Sequence, residues 1–134
     1  MIGLLIVTHE SLGSAFNHLA THFFPALPGN VRILNVEKND APETVHAKIS
    51  HFLEELNFGY GVLILTDIFG ATPCNVANKF ILNEDTAMLT GLNAPMIVKA
   101  IQYASLSTDL QALLQDVKQA AIAGIIDITH KDTW

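Results

Sequence analysis

The chain has 134 residues, 50% hydrophobic and 15% charged, with a formal net charge of −6 at pH 7. This is enough apolar material for one well-buried core and too much for a disordered chain. The acidic balance, with no Lys/Arg cluster to neutralise phosphates, excludes a nucleic-acid footprint and favours basic protein partners.

Short Val/Ile/Leu runs alternate with longer amphipathic stretches, the pattern of βαβ units and a parallel sheet. "IGLLIV" at 2–7, "VRILNV" at 31–36, "GVLILT" at 61–66 and "TAMLTG" at 86–91 are the expected strands. Between the first two, Leu12, Ala15, Phe16, Leu19, Ala20 and Phe23 recur at three- and four-residue spacing, which predicts a helix ended by "PALPGN". In the next interval Val45, Ile49, Phe52, Leu53 and Leu56 form the stripe, with Pro42 in the first turn and Asp40 and Glu43 spaced as a capping box. After the third strand, Thr72 is the expected cap and Pro73 the opening residue of a helix that buries Val76, Ala77, Phe80 and Ile81. A short helix is expected near Pro95. A longer one follows Thr108 and Gln111, another capping-box spacing, and carries Leu110, Leu113, Leu114 and Val117. "GIIDIT" at 124–129 reads as a fifth strand, and "HKDTW" at 130–134 as a polar tail of a single domain spanning 1–134.

No apolar run approaches the roughly 20 residues that cross a bilayer. "MIGLLIV" lacks the basic n-region and cleavage site of a signal peptide, so a cytoplasmic location is expected. The single cysteine, Cys74, cannot form an internal disulfide, which agrees with a reducing compartment.

In a parallel α/β sheet the carboxyl ends of the strands share one edge, and ligands bind where strand order reverses. Right-handed crossovers bring strands one and three together if the second lies outside them, so His9 and Asp67 should meet at that point. A lone histidine after a strand is usually a surface group, and a lone aspartate there usually a turn former; it is their convergence that suggests chemistry. A carboxylate that accepts a proton from one imidazole nitrogen leaves the other as a nucleophile. "GATP" at 70–73, entering a helix, offers amides and a positive dipole end to a phosphate or oxyanion.

"IVTHESLG" at 6–13, "TDIFGATPCNVAN" at 66–78 and "GLNAPM" at 91–96 resemble the enzyme IIA component of the mannose family of the bacterial phosphoenolpyruvate:sugar phosphotransferase system. The resemblance runs along nearly the whole chain in motif order and spacing. It implies that His9 accepts phosphate from the histidine-containing phosphocarrier protein and donates it to an enzyme IIB, for sugar uptake or regulation, with no cofactor or metal. Asp67 would orient the imidazole, and Thr72 with the Gly70 and Ala71 amides would receive the phosphoryl oxygens. The implied fold class is α/β: a three-layer sandwich with helices on both faces, four parallel strands in the order 2-1-3-4 and an antiparallel edge strand. The implied homodimer exchanges that strand, residues 124–129.

The chain departs from the family pattern at four places. The family most often has Gly where this sequence has Glu10, a second Gly at Ala71, Ser at Thr72 and an aromatic at Cys74. Glu10 would repel a phosphoryl group if it pointed inward, so it is expected to face solvent or a basic partner. Ala71 would restrict the backbone if its φ were positive.

Other candidates have plainer readings. His18 and His22 have metal-capable spacing but no acidic or cysteine ligand nearby, so a solvated face is expected, as it is for His46 and His51. Cys74, in a first helical turn, is read as a small packing residue. Ser11 lies near His9, but the nucleophile-elbow pattern is absent. The competing function is a receiver-like signalling module phosphorylated on Asp67, which would need an acidic pair after strand one for Mg²⁺, where only Glu10 is available. A nucleotide-binding module ranks last, because no glycine-rich phosphate loop is present.

Overall fold

Four largely apolar strands end on one edge of a parallel sheet because helices return the chain to the opposite edge after each of the first three. The computed structural model describes residues 1–130. Strands β1 (Gly3–His9), β2 (Val31–Val36), β3 (Val62–Thr66) and β4 (Thr86–Leu89) pair in parallel in the order β2-β1-β3-β4. Five helices accompany them: α1 (Leu12–Ala20), α2 (Pro42–Leu56), α3 (Thr72–Asn78), α4 (Ala94–Ala104) and α5 (Leu110–Ala123).

Alternate residues of the central strands feed two separate cores. Leu4, Ile6, Leu63 and Leu65 pack with Met96, Ile97, Ala100, Leu113 and Val117 beneath α1, α4 and α5. Leu5, Val7, Val62 and Ile64 pack with Val45, Ile49, Val76 and Ala77 beneath α2 and α3. A sheet covered on both faces requires strands apolar at every position, and β1 is buried at six successive positions before it emerges at His9. Each fully buried Leu or Ile contributes roughly 1.5–3 kcal/mol, so the sheet centre is the most stable part of the molecule. The three-layer α/β expectation and the strand order are both met.

Several local expectations are corrected. Helix α1 stops at Ala20: the Thr21 hydroxyl donates to His18 O, and tight turns follow in which His22 N–H donates to Leu19 O and Phe23 N–H to Ala20 O. Phe23 is therefore exposed, and Phe24 packs on the core instead. Asp40 and Glu43 form no capping box; Ala41 precedes Pro42 at the start of α2, while Asp40 Oδ2 accepts from Glu37 N–H at 2.8 Å. Thr108 does not cap α5; Asp109 does, accepting from Ala112 N–H at 3.1 Å. Ala71, not Thr72, precedes α3, and Thr72 is its first helical residue.

The fifth strand is absent from the single chain. Gly124 caps α5 and residues 125–130 form no strand, so Ile125, Ile126 and Ile128 are exposed. A strand needs a neighbouring strand to take its N–H and C=O groups in a ladder, and the four paired strands of the sheet do not include this segment. Of the expected polar tail only His130 lies within the described residues. Among those residues no helix is long and apolar enough to cross a membrane.

Candidate functional site

Strand order reverses between β1 and β3, with β2 outside one and β4 outside the other, which opens a crevice at their carboxyl ends. His9 closes β1 there, paired with Val36 of β2, and Asp67 follows the last residue of β3. Asp67 Oδ2 accepts from the His9 backbone N–H at 3.0 Å and lies 2.9 Å from His9 Nδ1. Asp67 Oδ1 accepts from the Ile68 N–H at 3.0 Å.

Burial would raise the Asp67 carboxyl, whose side chain is only 6% exposed, but the His9 backbone and ring and the Ile68 amide outweigh it and hold the group below the ordinary aspartate range. An ionised carboxylate has no proton to give, so Nδ1 is the donor. Nε2 then keeps its lone pair, on a ring left 40% exposed. Both Asp67 oxygens are therefore engaged as acceptors.

His9 and Thr72 line one cleft of about 300 Å³. Thr72 is exposed at the start of α3, and its hydroxyl makes no hydrogen bond to a described residue. Gly70 and Ala71 precede it without lining the cleft. Gly70 takes the left-handed turn at φ +84°, leaving Ala71 at φ −87° with no strain, so the expected penalty for Ala71 does not arise. The Ala71 N–H makes only a long bond, 3.4 Å, to Ile68 O. Asn75 Nδ2 donates to Gly70 O at 2.9 Å and fixes the loop from the helix side.

The "GLNAPM" segment supports the site from behind. Gly91 N–H donates to Asp67 O at 3.1 Å and Leu92 N–H to Thr66 O at 3.1 Å, anchoring the loop that carries Asp67. Asn93 caps α4 by accepting from Met96 N–H at 3.0 Å and also donates to Ala121 O at 3.0 Å, which joins α4 to α5.

Sequence reasoning missed Glu37, Lys38 and Asp40, which line the cleft from the loop after β2. A usable signal existed: the carboxyl end of strand two had to reach the same edge as His9. Glu10 is exposed, as expected. Cys74 is buried in packing contact. His18 and His22 lie edge to edge with ring centroids 6.1 Å apart, His46 packs on the Phe80 ring at 4.5 Å and His51 pairs with Glu55 at 2.8 Å. No three His, Cys, Asp or Glu side chains among the described residues are placed to hold a metal ion.

A family model described as "PTS system fructose IIA component" matches residues 3–118. The chain is 28% identical over 102 residues, 75% of its length and 69% of the relative's, to the "PTS system fructose-specific EIIA component" of Bacillus subtilis (strain 168). Its fold is similar to that of a mannose/sorbose specific IIA subunit from Enterococcus faecalis, with a TM-score of 0.82 at 21% identity and 99% and 98% of the two chains covered. It is similar also to the EIIA component from Streptococcus agalactiae, with a TM-score of 0.81 at 23% identity over 95% and 97%. The match of the family model over most of the chain establishes that this protein belongs to the mannose-type enzyme IIA family of the phosphotransferase system.

Proposed function

We propose that the chain is a phosphoryl carrier of the sugar phosphotransferase system. His9 Nε2 accepts a phosphoryl group from the histidine-containing phosphocarrier protein and passes it to an enzyme IIB, serving sugar uptake or its regulation in the cytoplasm. The observation that carries this reading is the 2.9 Å contact of His9 Nδ1 with Asp67, which directs the free nitrogen to the cleft that Thr72 also lines.

In the forward step the donor's P–N bond breaks and its electron pair stays on the donor imidazole, while the Nε2 lone pair forms the new N–P bond. The ring becomes positively charged as it does so. The Asp67 carboxylate, held by three donors, stabilises that charge and keeps the proton on Nδ1. Thr72, which lines the cleft, receives the phosphoryl oxygens, and the Gly70 and Ala71 amides, which do not line it at rest, join from the same loop when the group arrives. No cofactor or metal takes part. The carrier acts as a homodimer in which residues 124–129 supply an antiparallel edge strand to the partner, covering their exposed isoleucines.

Incubation with phosphoenolpyruvate, enzyme I and the phosphocarrier protein should add one phosphoryl group to the chain and none to His9→Ala. The bond should be acid-labile and stable to alkali. A label removed by hydroxylamine, or one that persists in His9→Ala, would replace this reading by a phosphoaspartate on Asp67.

A further inference from the structure

Glu10 has φ +48° and is the one non-glycine residue with a positive φ among the described residues. The other left-handed positions, Gly59, Gly61, Gly70 and Gly91, are all glycine. Left-handed backbone crowds a Cβ against the preceding carbonyl and costs stability in any residue but glycine. Position 10 sits next to the reacting histidine, and strain tolerated at such a place points to work done by the side chain.

The surroundings say what work. The Glu10 N–H donates to Val36 O at 2.8 Å, which brings Glu10 beside the start of the loop after β2. There it lines the same cleft as Glu37, and the neighbouring Glu10 carboxylate, which favours the protonated form, pushes the exposed Glu37 carboxyl above the ordinary range. Asp40, whose Oδ2 holds the Glu37 N–H, adds a third carboxylate. Lys38 is the cation lining this cleft, and Lys48 acts on Glu37 from α2. The mouth of the cleft is therefore anionic where a phosphoryl group, itself anionic, must enter.

We propose that Glu10 determines donor specificity at His9: with Glu37 it places carboxylates at the cleft mouth that repel small anionic phosphoryl donors and admit a protein donor presenting a lysine or arginine beside its phosphoryl group. The proposal rests on the phosphocarrier reading and deepens it. The cationic side chain neutralises the rim as the donor docks, so an electrostatic barrier to a free anion becomes an attraction for the right protein. The strain at position 10 is then offset by protection of His9 from adventitious phosphorylation.

The test compares two donors on the full chain at low ionic strength. Phosphoramidate is the small donor: its P–N bond breaks, the protonated nitrogen leaves as ammonia with the electron pair, and the Nε2 lone pair bonds to phosphorus. The phosphorylated phosphocarrier protein is the large one. One unit charge at about 4 Å in water is worth roughly fivefold in rate. Glu10→Gln should thus accelerate phosphoramidate labelling of His9 about fivefold and slow labelling by the protein donor by a similar factor. Both changes should shrink at high salt, which screens exposed charges. Glu10→Gly should alter the ratio in the same sense while raising the thermal midpoint, separating the effect from damage to the fold. Labelling of His9 by both donors with an unchanged rate ratio in Glu10→Gln and Glu10→Gly would overturn the proposal alone. Failure of the phosphocarrier protein to label His9 in the wild type would overturn the carrier reading and the proposal with it.

Discussion

Asp67 grips His9 at two points with one oxygen: Oδ2 accepts the backbone N–H at 3.0 Å and meets ring Nδ1 at 2.9 Å. The backbone bond sets where the histidine leaves the strand and the ring bond sets its rotation and tautomer, so a single carboxylate removes most of the freedom that a nucleophile would otherwise lose on reaction.

Asp67→Asn keeps an oxygen for the backbone amide but loses the charge that stabilises the phosphorylated ring. A hydrogen bond to a charged group is worth about 1.5–3 kcal/mol, so phosphoryl transfer should slow roughly ten- to a hundredfold. The fold, read by circular dichroism, should persist. Transfer rates equal to wild type would remove Asp67 from the mechanism.

The depressed Asp67 carboxyl makes its contribution to stability depend on pH. The unfolded aspartate titrates near pH 4, and the folded one titrates lower, so the folded state binds the proton more weakly. Its contribution is complete above about pH 4 and disappears as pH falls through the lower folded value. Urea midpoints of wild type and Asp67→Asn should differ at about pH 5 and converge below about pH 4. A gap that persists undiminished into stronger acid would contradict the assignment.

Gly13 lets α1 settle on β1 and β2 immediately behind the site. A Cβ there would stand 2.6 Å from Ile33 Cγ2, 2.7 Å from Asn35 Oδ1 and 2.9 Å from Thr8 Oγ1. Thr8 is fully buried, so the atoms cannot simply move into solvent. Gly13→Ala should destabilise by about 1–3 kcal/mol, as overpacked sites do. Calorimetry showing an unchanged midpoint would mean that α1 lifts without cost.

Residues 124–129 carry the proposed dimer. Ile125, Ile126 and Ile128 are 77%, 65% and 59% exposed, too much apolar surface to leave along one segment of a monomer. Deletion after Ala123 should leave monomers or aggregate, whereas the full chain should sediment as a dimer. A monomeric full chain at micromolar concentration would sink the idea.

The alternation of short apolar runs with 3.6-periodic stretches was enough to predict βαβ units and a parallel sheet, because buried parallel strands must be apolar throughout and their crossovers amphipathic; the strand order and the helices on both faces came from the family resemblance. The alternation also brought His9 and Asp67 to one edge, since the carboxyl ends of parallel strands cannot lie elsewhere. Helix starts were misread by a residue at Asp40, Thr72 and Thr108. Neighbouring polar residues compete for the same amide, and only the backbone path decides whether Ala41, Ala71 or Asp109 precedes the first turn.

Tertiary structure alone decided the rest. Glu37, Lys38 and Asp40 come from a loop 28 or more positions away from His9; strand direction brings that loop to the same edge, but which of its side chains line the cleft is set only by the folded backbone. The positive φ of Glu10 is equally invisible in sequence, because any side chain can be written at a position whose backbone angle is imposed by the turn out of β1. "GIIDIT" has a strand's composition without being a strand in the single chain. Apolar composition is a property of the segment, but a strand's hydrogen bonds belong to a pair, and the second member of that pair is not specified by the residues themselves.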